Sequence, residues 1–141
     1  GINKYIFLDL ISVSAPIGLF FGRIANFING ELIGKATNGN WGIVYPEIDG
    51  IPRHPSQLYE CFLEGIVLFI ILNLIFFKKY KVGTVSFAFL FFYGIFRFIS
   101  EIFREPDIQL GYIFGSFSMG MLLSLLMVFL SIILYYRINE A

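Results

Sequence analysis

Along this chain long apolar stretches alternate with short polar ones, and four of the apolar stretches have the length that a bilayer requires. A helix needs about 20 largely apolar residues to cross the hydrocarbon core. The pattern predicts spans over about 7–28, 57–77, 83–103 and 113–136. The first is the least regular, because it holds Asp9, Pro16 and Arg23. Proline inside a span is tolerated where neighbours satisfy the freed carbonyl. Between the first two spans lies NGELIGKATNGNWGIVYPEIDGIPRHPS, about 29–56, rich in Gly, Asn and Pro as a loop outside the membrane should be. The other connections, KKYK and REPDIQLGY, are short. The expected fold is all-α: a single membrane-embedded unit over 1–141, polytopic, with about four transmembrane helices and a polar extracytoplasmic loop between the first and second.

Composition agrees with lipid as the main surrounding. Of 141 residues 57% are hydrophobic, 18 are Phe, and only 14% are charged, against about 25% in a typical soluble domain. The formal net charge is zero, so no overall field points to nucleic acid as a partner. Cys61 is the single cysteine, which excludes an internal disulfide and a multi-cysteine metal site; no metal or cofactor is expected. The chain begins with Gly1 and has no basic leader ahead of a cleavage site, so no signal peptide is expected and the chain reads as part of a longer protein.

Basic residues in the flanks orient the spans. Lys4, Lys78, Lys79, Lys81 and Arg137 fall on one side, nearly unopposed by acids. Lys35, Arg53 and Arg104 fall on the other, mixed with Glu31, Glu47, Asp49, Glu105 and Asp107. The first side is expected to be cytoplasmic. All tyrosines but Tyr93, together with Trp41, sit at or beyond the predicted span ends, as interfacial anchors do.

Charges within the spans carry the candidate chemistry. Each costs about 2.5–3.5 kcal/mol on insertion scales, so it needs a reason to be there. Tyr93, Arg97, Glu101 and Arg104 share one helical face by their spacing, as do Gln57, Glu60 and Glu64, while Arg23 and Asn26 share a face of the first span. Glu60 and Glu64 repel one another unless a cation intervenes. Nearly all these groups lie in the outward half of their spans, where they would line a cleft. Ion pairing between helices would use the same charges, and so would a transport or structural module. A permeation path should continue toward the other side, yet the inner halves of the later spans are almost uniformly apolar (IVLFIILNLIFF, LLMVFLSIILYY). The cations within the spans and at their outer ends are arginines, whose planar fork matches phosphate oxygens as lysine cannot.

Three blocks go further: GRIANFINGELIGK from Gly22 to Lys35, RHPSQLYE from Arg53 to Glu60, and YGIFRFISEIFREPDIQLG from Tyr93 to Gly111. With SMG at Ser118 to Gly120, their order and spacing resemble the C-terminal half of the prolipoprotein diacylglyceryl transferase family. Ala25 departs from the glycine usual there. The resemblance implies a bacterial inner-membrane enzyme that moves the diacylglyceryl group of phosphatidylglycerol onto the lipobox cysteine of a prolipoprotein signal peptide, releasing glycerol phosphate. It implies phosphatidylglycerol binding by Arg23, with Asn26, Gly34 and Arg104, and catalytic roles for Arg97, Glu101 and Glu31, the two glutamates holding arginines in place. The family's His-Gly-Gly motif, whose histidine is its proposed base, does not occur in this chain. His54 belongs to a different block. Cys61, amid apolar residues, reads as packing, and Asp9 as a helix-pairing group.

Overall fold

The computed structural model describes residues 1, 3–106, 111–113, 115 and 117–140, and they form a bundle of four long helices. α1 is Lys4–Asn29, α2 is Ser56–Phe77, α3 is Thr84–Phe103 and α4 is Met119–Glu140. All four are long and apolar enough to cross a membrane. Three match the expected spans to within a few residues. The fourth starts later than expected, at Met119, because Tyr112–Ile113 (β1) and Phe117–Ser118 (β2) pair antiparallel before it. The apolar character of this hairpin hid it in the sequence, since a short apolar run does not distinguish strand from helix. Asp107, counted above among the outer acids, lies outside the described residues.

Local chemistry sets the helix ends. The Asn3 side chain accepts a hydrogen bond from the Tyr5 amide at 2.9 Å and caps α1. At the other end Gly30, at φ 67°, takes the left-handed conformation that closes a helix C-terminus. α2 is not uniform: Cys61–Val67 forms wide π-helical turns between α-helical ends. Such turns add a residue to the regular ladder and often mark functional sites. Here they begin directly after Glu60 and contain Glu64.

Asp9 reaches across the bundle to cap α3. Its carboxylate accepts from the Gly83 amide at 2.8 Å, the Ser86 amide at 2.9 Å and the Ser86 hydroxyl at 2.6 Å. A buried carboxylate is thus satisfied by helix donors that α3 cannot pair internally. Asp9 does pair helices, as expected. Leu68, Leu72, Val85 and Ala88 form the buried core between α2 and α3, with Phe87, Phe89, Phe92 and Phe96 of the phenylalanine-rich run packed partly against it. α3 and α4 pack tightly at Gly94, where a Cβ would lie 2.8 Å from Val128 Cγ2 and 2.9 Å from the Ser124 carbonyl oxygen. Cys61 is buried. The outer surface stays apolar, with Phe21, Phe77 and Phe129 all exposed, as suits a lipid-facing bundle.

The segment 30–55 folds over the end of the bundle that carries Arg23, Arg97 and Arg104. Lys35 donates its amide to the Phe103 carbonyl at 2.8 Å, and Glu105 donates to Ile33 at 3.1 Å. These bonds occupy the end of α3. Cysteines introduced at Asn38 and Lys79, both exposed, are expected to react with membrane-impermeant maleimide from opposite sides of the membrane. Labelling of both from one side would overturn the four-span topology.

Candidate functional site

The structure brings the charged faces of α1, α2 and α3 together in one cluster. Glu60 lies at its centre. Its Oε2 is 2.8 Å from Arg23 Nε and its Oε1 is 2.9 Å from Arg97 Nη1. Arg23 Nε also lies 3.6 Å from Glu64 Oε2, so a cation does separate the two glutamates. Arg97 Nη2 approaches Glu101 Oε2 at 3.2 Å, and Arg104 Nη1 stands 3.9 Å from the same oxygen. The expected helical faces therefore meet, and Arg23, Arg97, Glu101 and Arg104 share one network.

Burial gives the cluster a polarity. The Glu60, Glu64 and Glu101 side chains are 1%, 0% and 7% exposed, whereas those of Arg23, Arg97 and Arg104 are 14%, 16% and 18% exposed. Carboxylates form a buried floor and guanidiniums stand above it. Several contacts are close without the alignment of a hydrogen bond, which leaves both Glu60 oxygens and Arg97 Nη1 without a conventional hydrogen-bond partner. Buried polar groups in native proteins are nearly always satisfied, so exceptions of this kind call for an explanation.

Glu31 departs from expectation. Among the described residues it makes no ion pair with an arginine; its Oε2 accepts from Asn26 Nδ2 at 3.0 Å. Asn26 Oδ1 in turn accepts from Arg23 Nη1 at 3.4 Å. Glu31 thus acts on Arg23 through Asn26, because the chain turns away after α1 and carries Glu31 toward the rim. The next residue, Leu32, has φ 52°, a conformation that costs a non-glycine residue roughly 1–3 kcal/mol and clusters at functional sites.

Gly34 holds the loop in register rather than presenting a side chain. A Cβ there would collide with the His54 carbonyl oxygen and lie 2.9 Å from that of Phe103. Glu101 has similar support: Ser118 Oγ donates to Glu101 Oε1 at 3.2 Å, and a Cβ at Gly120 would lie 2.6 Å from Glu101 Cδ. The Ser118–Gly120 block therefore makes room for the carboxylate that Arg97 and Arg104 face.

Two residues outside the expected set prove central. Glu60 bridges two arginines, and its signal was its place at the end of the RHPSQLYE block. Gln57, buried, donates to the Glu31 carbonyl at 2.8 Å and pairs with Tyr45, tying the loop to α2. His54 sits among aromatic rings: Trp41 Nε1 donates to its Nδ1 at 3.4 Å, Tyr59 Oη is 3.1 Å from the same nitrogen, and the Phe103 ring centroid is 5.1 Å away. In the loop, the Arg53 guanidinium bonded to Asp49 holds that carboxyl below the ordinary carboxylate range and raises the arginine's own value. Because the folded carboxyl titrates lower than an unfolded one, this clasp adds stability above the unfolded value and loses it as pH falls through the folded one.

Comparison with known proteins agrees with this architecture. The family model described as "Prolipoprotein diacylglyceryl transferase" matches residues 1–137. The chain is 54% identical over 132 residues to a phosphatidylglycerol–prolipoprotein diacylglyceryl transferase of Rickettsia bellii, covering 92% of this chain and 50% of that protein. The same-named protein of Rickettsia felis is 52% identical over 141 residues (98% and 54%), and that of Geobacter sulfurreducens 55% over 116 (82% and 45%). The chain spans about half the length of the curated relatives it matches. On these grounds this chain belongs to the prolipoprotein diacylglyceryl transferase family.

Proposed function

We propose that this chain forms the phospholipid-binding part of an enzyme that transfers the diacylglyceryl group of phosphatidylglycerol to the lipobox cysteine of a prolipoprotein, in a bacterial inner membrane. The observation that carries this reading is the set of three partly exposed arginines above buried glutamates at one end of an apolar bundle. A guanidinium has five N–H donors. Arg23 places Nε on Glu60 and Nη1 near Asn26, and its side chain stays 14% exposed. The exposed part of that guanidinium can meet a phosphate oxygen.

The reaction needs such a group. The thiolate sulfur attacks the diacylglyceryl carbon next to the phosphate ester oxygen; the S–C bond forms, the C–O bond breaks, and glycerol phosphate leaves with the electron pair. Negative charge on the phosphate grows as the C–O bond breaks. Guanidiniums fixed beforehand stabilise that charge more in the transition state than in the ground state. Arg23 and Arg97 are the groups we assign to this task; Glu60 and Glu101 fix them from below, and Glu31 fixes Arg23 through Asn26. The thiol, with an ordinary pKa near 8.5, must first lose its proton. We assign the acceptor to the part of the protein outside this chain.

The test is transfer of labelled diacylglyceryl from phosphatidylglycerol to a lipobox peptide. The complete protein is expected to turn over, residues 1–141 alone to show none, and co-expression with the remaining half to restore part. Turnover by 1–141 alone would place the base within it and reopen His54, Glu31 and Glu101 for that role.

A further inference from the structure

The opposite end of the bundle holds a cavity that this reaction does not use. It has a volume of about 790 Å³ and lies where the start of α1, the start of α3 and the end of α4 converge. Leu8, Phe87, Leu90 and Leu134 give it apolar walls, Lys81 and Arg137 stand on it, and among the described residues no acidic one lines it. Lys81 Nζ donates to the Ile138 carbonyl and so is held beside the last turn of α4. Among the described residues neither Lys81 nor Arg137 enters an ion pair. Of the neighbouring acids, Asp9 is already occupied by Gly83 and Ser86, and Glu140, three residues after Arg137 on α4, makes no ion pair among the described residues.

We infer that this cavity seats an anionic phospholipid from the leaflet on the lysine-rich side, its phosphate between Lys81 and Arg137 and an acyl chain along Leu8, Phe87 and Leu134. Charge complementarity selects this occupant. Two cations without an ion-pair partner among the described residues, above an apolar slot, fit a molecule that is anionic at one end and hydrocarbon at the other. Basic pockets between transmembrane helices take acidic headgroups in this way, and the volume lies within the range of ordinary ligand sites. The site is separate from the arginine cluster. Tyr5, which lines the cavity, and Arg23 lie 18 residues apart on α1, or about 27 Å at 1.5 Å per residue. The two sites therefore address opposite leaflets.

The experiment uses the complete protein in phosphatidylcholine nanodiscs containing a trace of photoactivatable phosphatidic acid, with labelled peptides mapped by mass spectrometry. Label is expected on the start of α1, the start of α3 and the end of α4. It should fall about tenfold or more in the double variant K81Q/R137Q, the scale set by two lost basic contacts near an anionic headgroup. K81R should keep it. L134W, which fills the apolar slot but leaves both cations, should also lose it, while label near Arg23 stays constant and reports an intact fold. Undiminished label in K81Q/R137Q, equal label from photoactivatable phosphatidylcholine, or no label because the rest of the protein fills the cavity would each overturn the inference.

Discussion

Replacing Glu60 with alanine in the complete protein is expected to abolish diacylglyceryl transfer and to lower the unfolding temperature in detergent. Glu60 is 1% exposed and its two oxygens face Arg23 at 2.8 Å and Arg97 at 2.9 Å. Removing one partner of a buried ion pair costs about 3–5 kcal/mol, because the remaining charge is left unpaired. Here two guanidiniums lose their shared carboxylate. Glu64 cannot replace the bridge, since it lies 3.6 Å from Arg23 Nε but among the described residues makes no ion pair with Arg97. Glu60→Gln keeps the shape and an acceptor oxygen, so it should recover much of the stability and little of the activity. Fluorescence-detected size exclusion across a temperature ramp reads stability, and lipid transfer to a lipobox peptide reads activity. Wild-type values of both in Glu60→Ala would show that the bridge matters to neither.

Arg23→Lys should cut kcat/KM for phosphatidylglycerol by about 10- to 1,000-fold while leaving the protein folded. Lysine keeps the charge but offers one nitrogen, and the structure asks more of Arg23: Nε faces Glu60 and Nη1 faces Asn26, while the same fork has to meet the lipid phosphate. A hydrogen bond to a charged group contributes about 1.5–3 kcal/mol, and each 1.36 kcal/mol is tenfold in rate. The loss of one or two such bonds sets the range. The folded state is checked by the same size-exclusion profile. Near-normal transfer by the lysine variant would remove Arg23 from its role as phosphate clamp.

The spans were legible because bilayer thickness imposes a length, and the sequence meets it four times. The faces were legible too, since helical spacing alone puts Arg97, Glu101 and Arg104 in line. Spacing does not say which faces meet, and that is why Glu60 stood outside the expected site although its helix face had been recognised. The hairpin before α4 was hidden for a related reason. Pairing of Tyr112 with Ser118 and of Ile113 with Phe117 is a contact between strands, and no single apolar residue announces it.

Length, hydropathy, the orientation of basic residues and the three signature blocks were determined by the sequence alone, because each depends on residues close together in the chain or on their order. Only the tertiary structure decided that Glu60 bridges two arginines, that Glu31 reaches Arg23 through Asn26, and that Asp9 caps a helix 74 residues away. These are side-chain contacts between residues that the chain alone does not bring together. Their energy depends on distances of a few ångströms and on the exclusion of water, and both arise only when the helices pack.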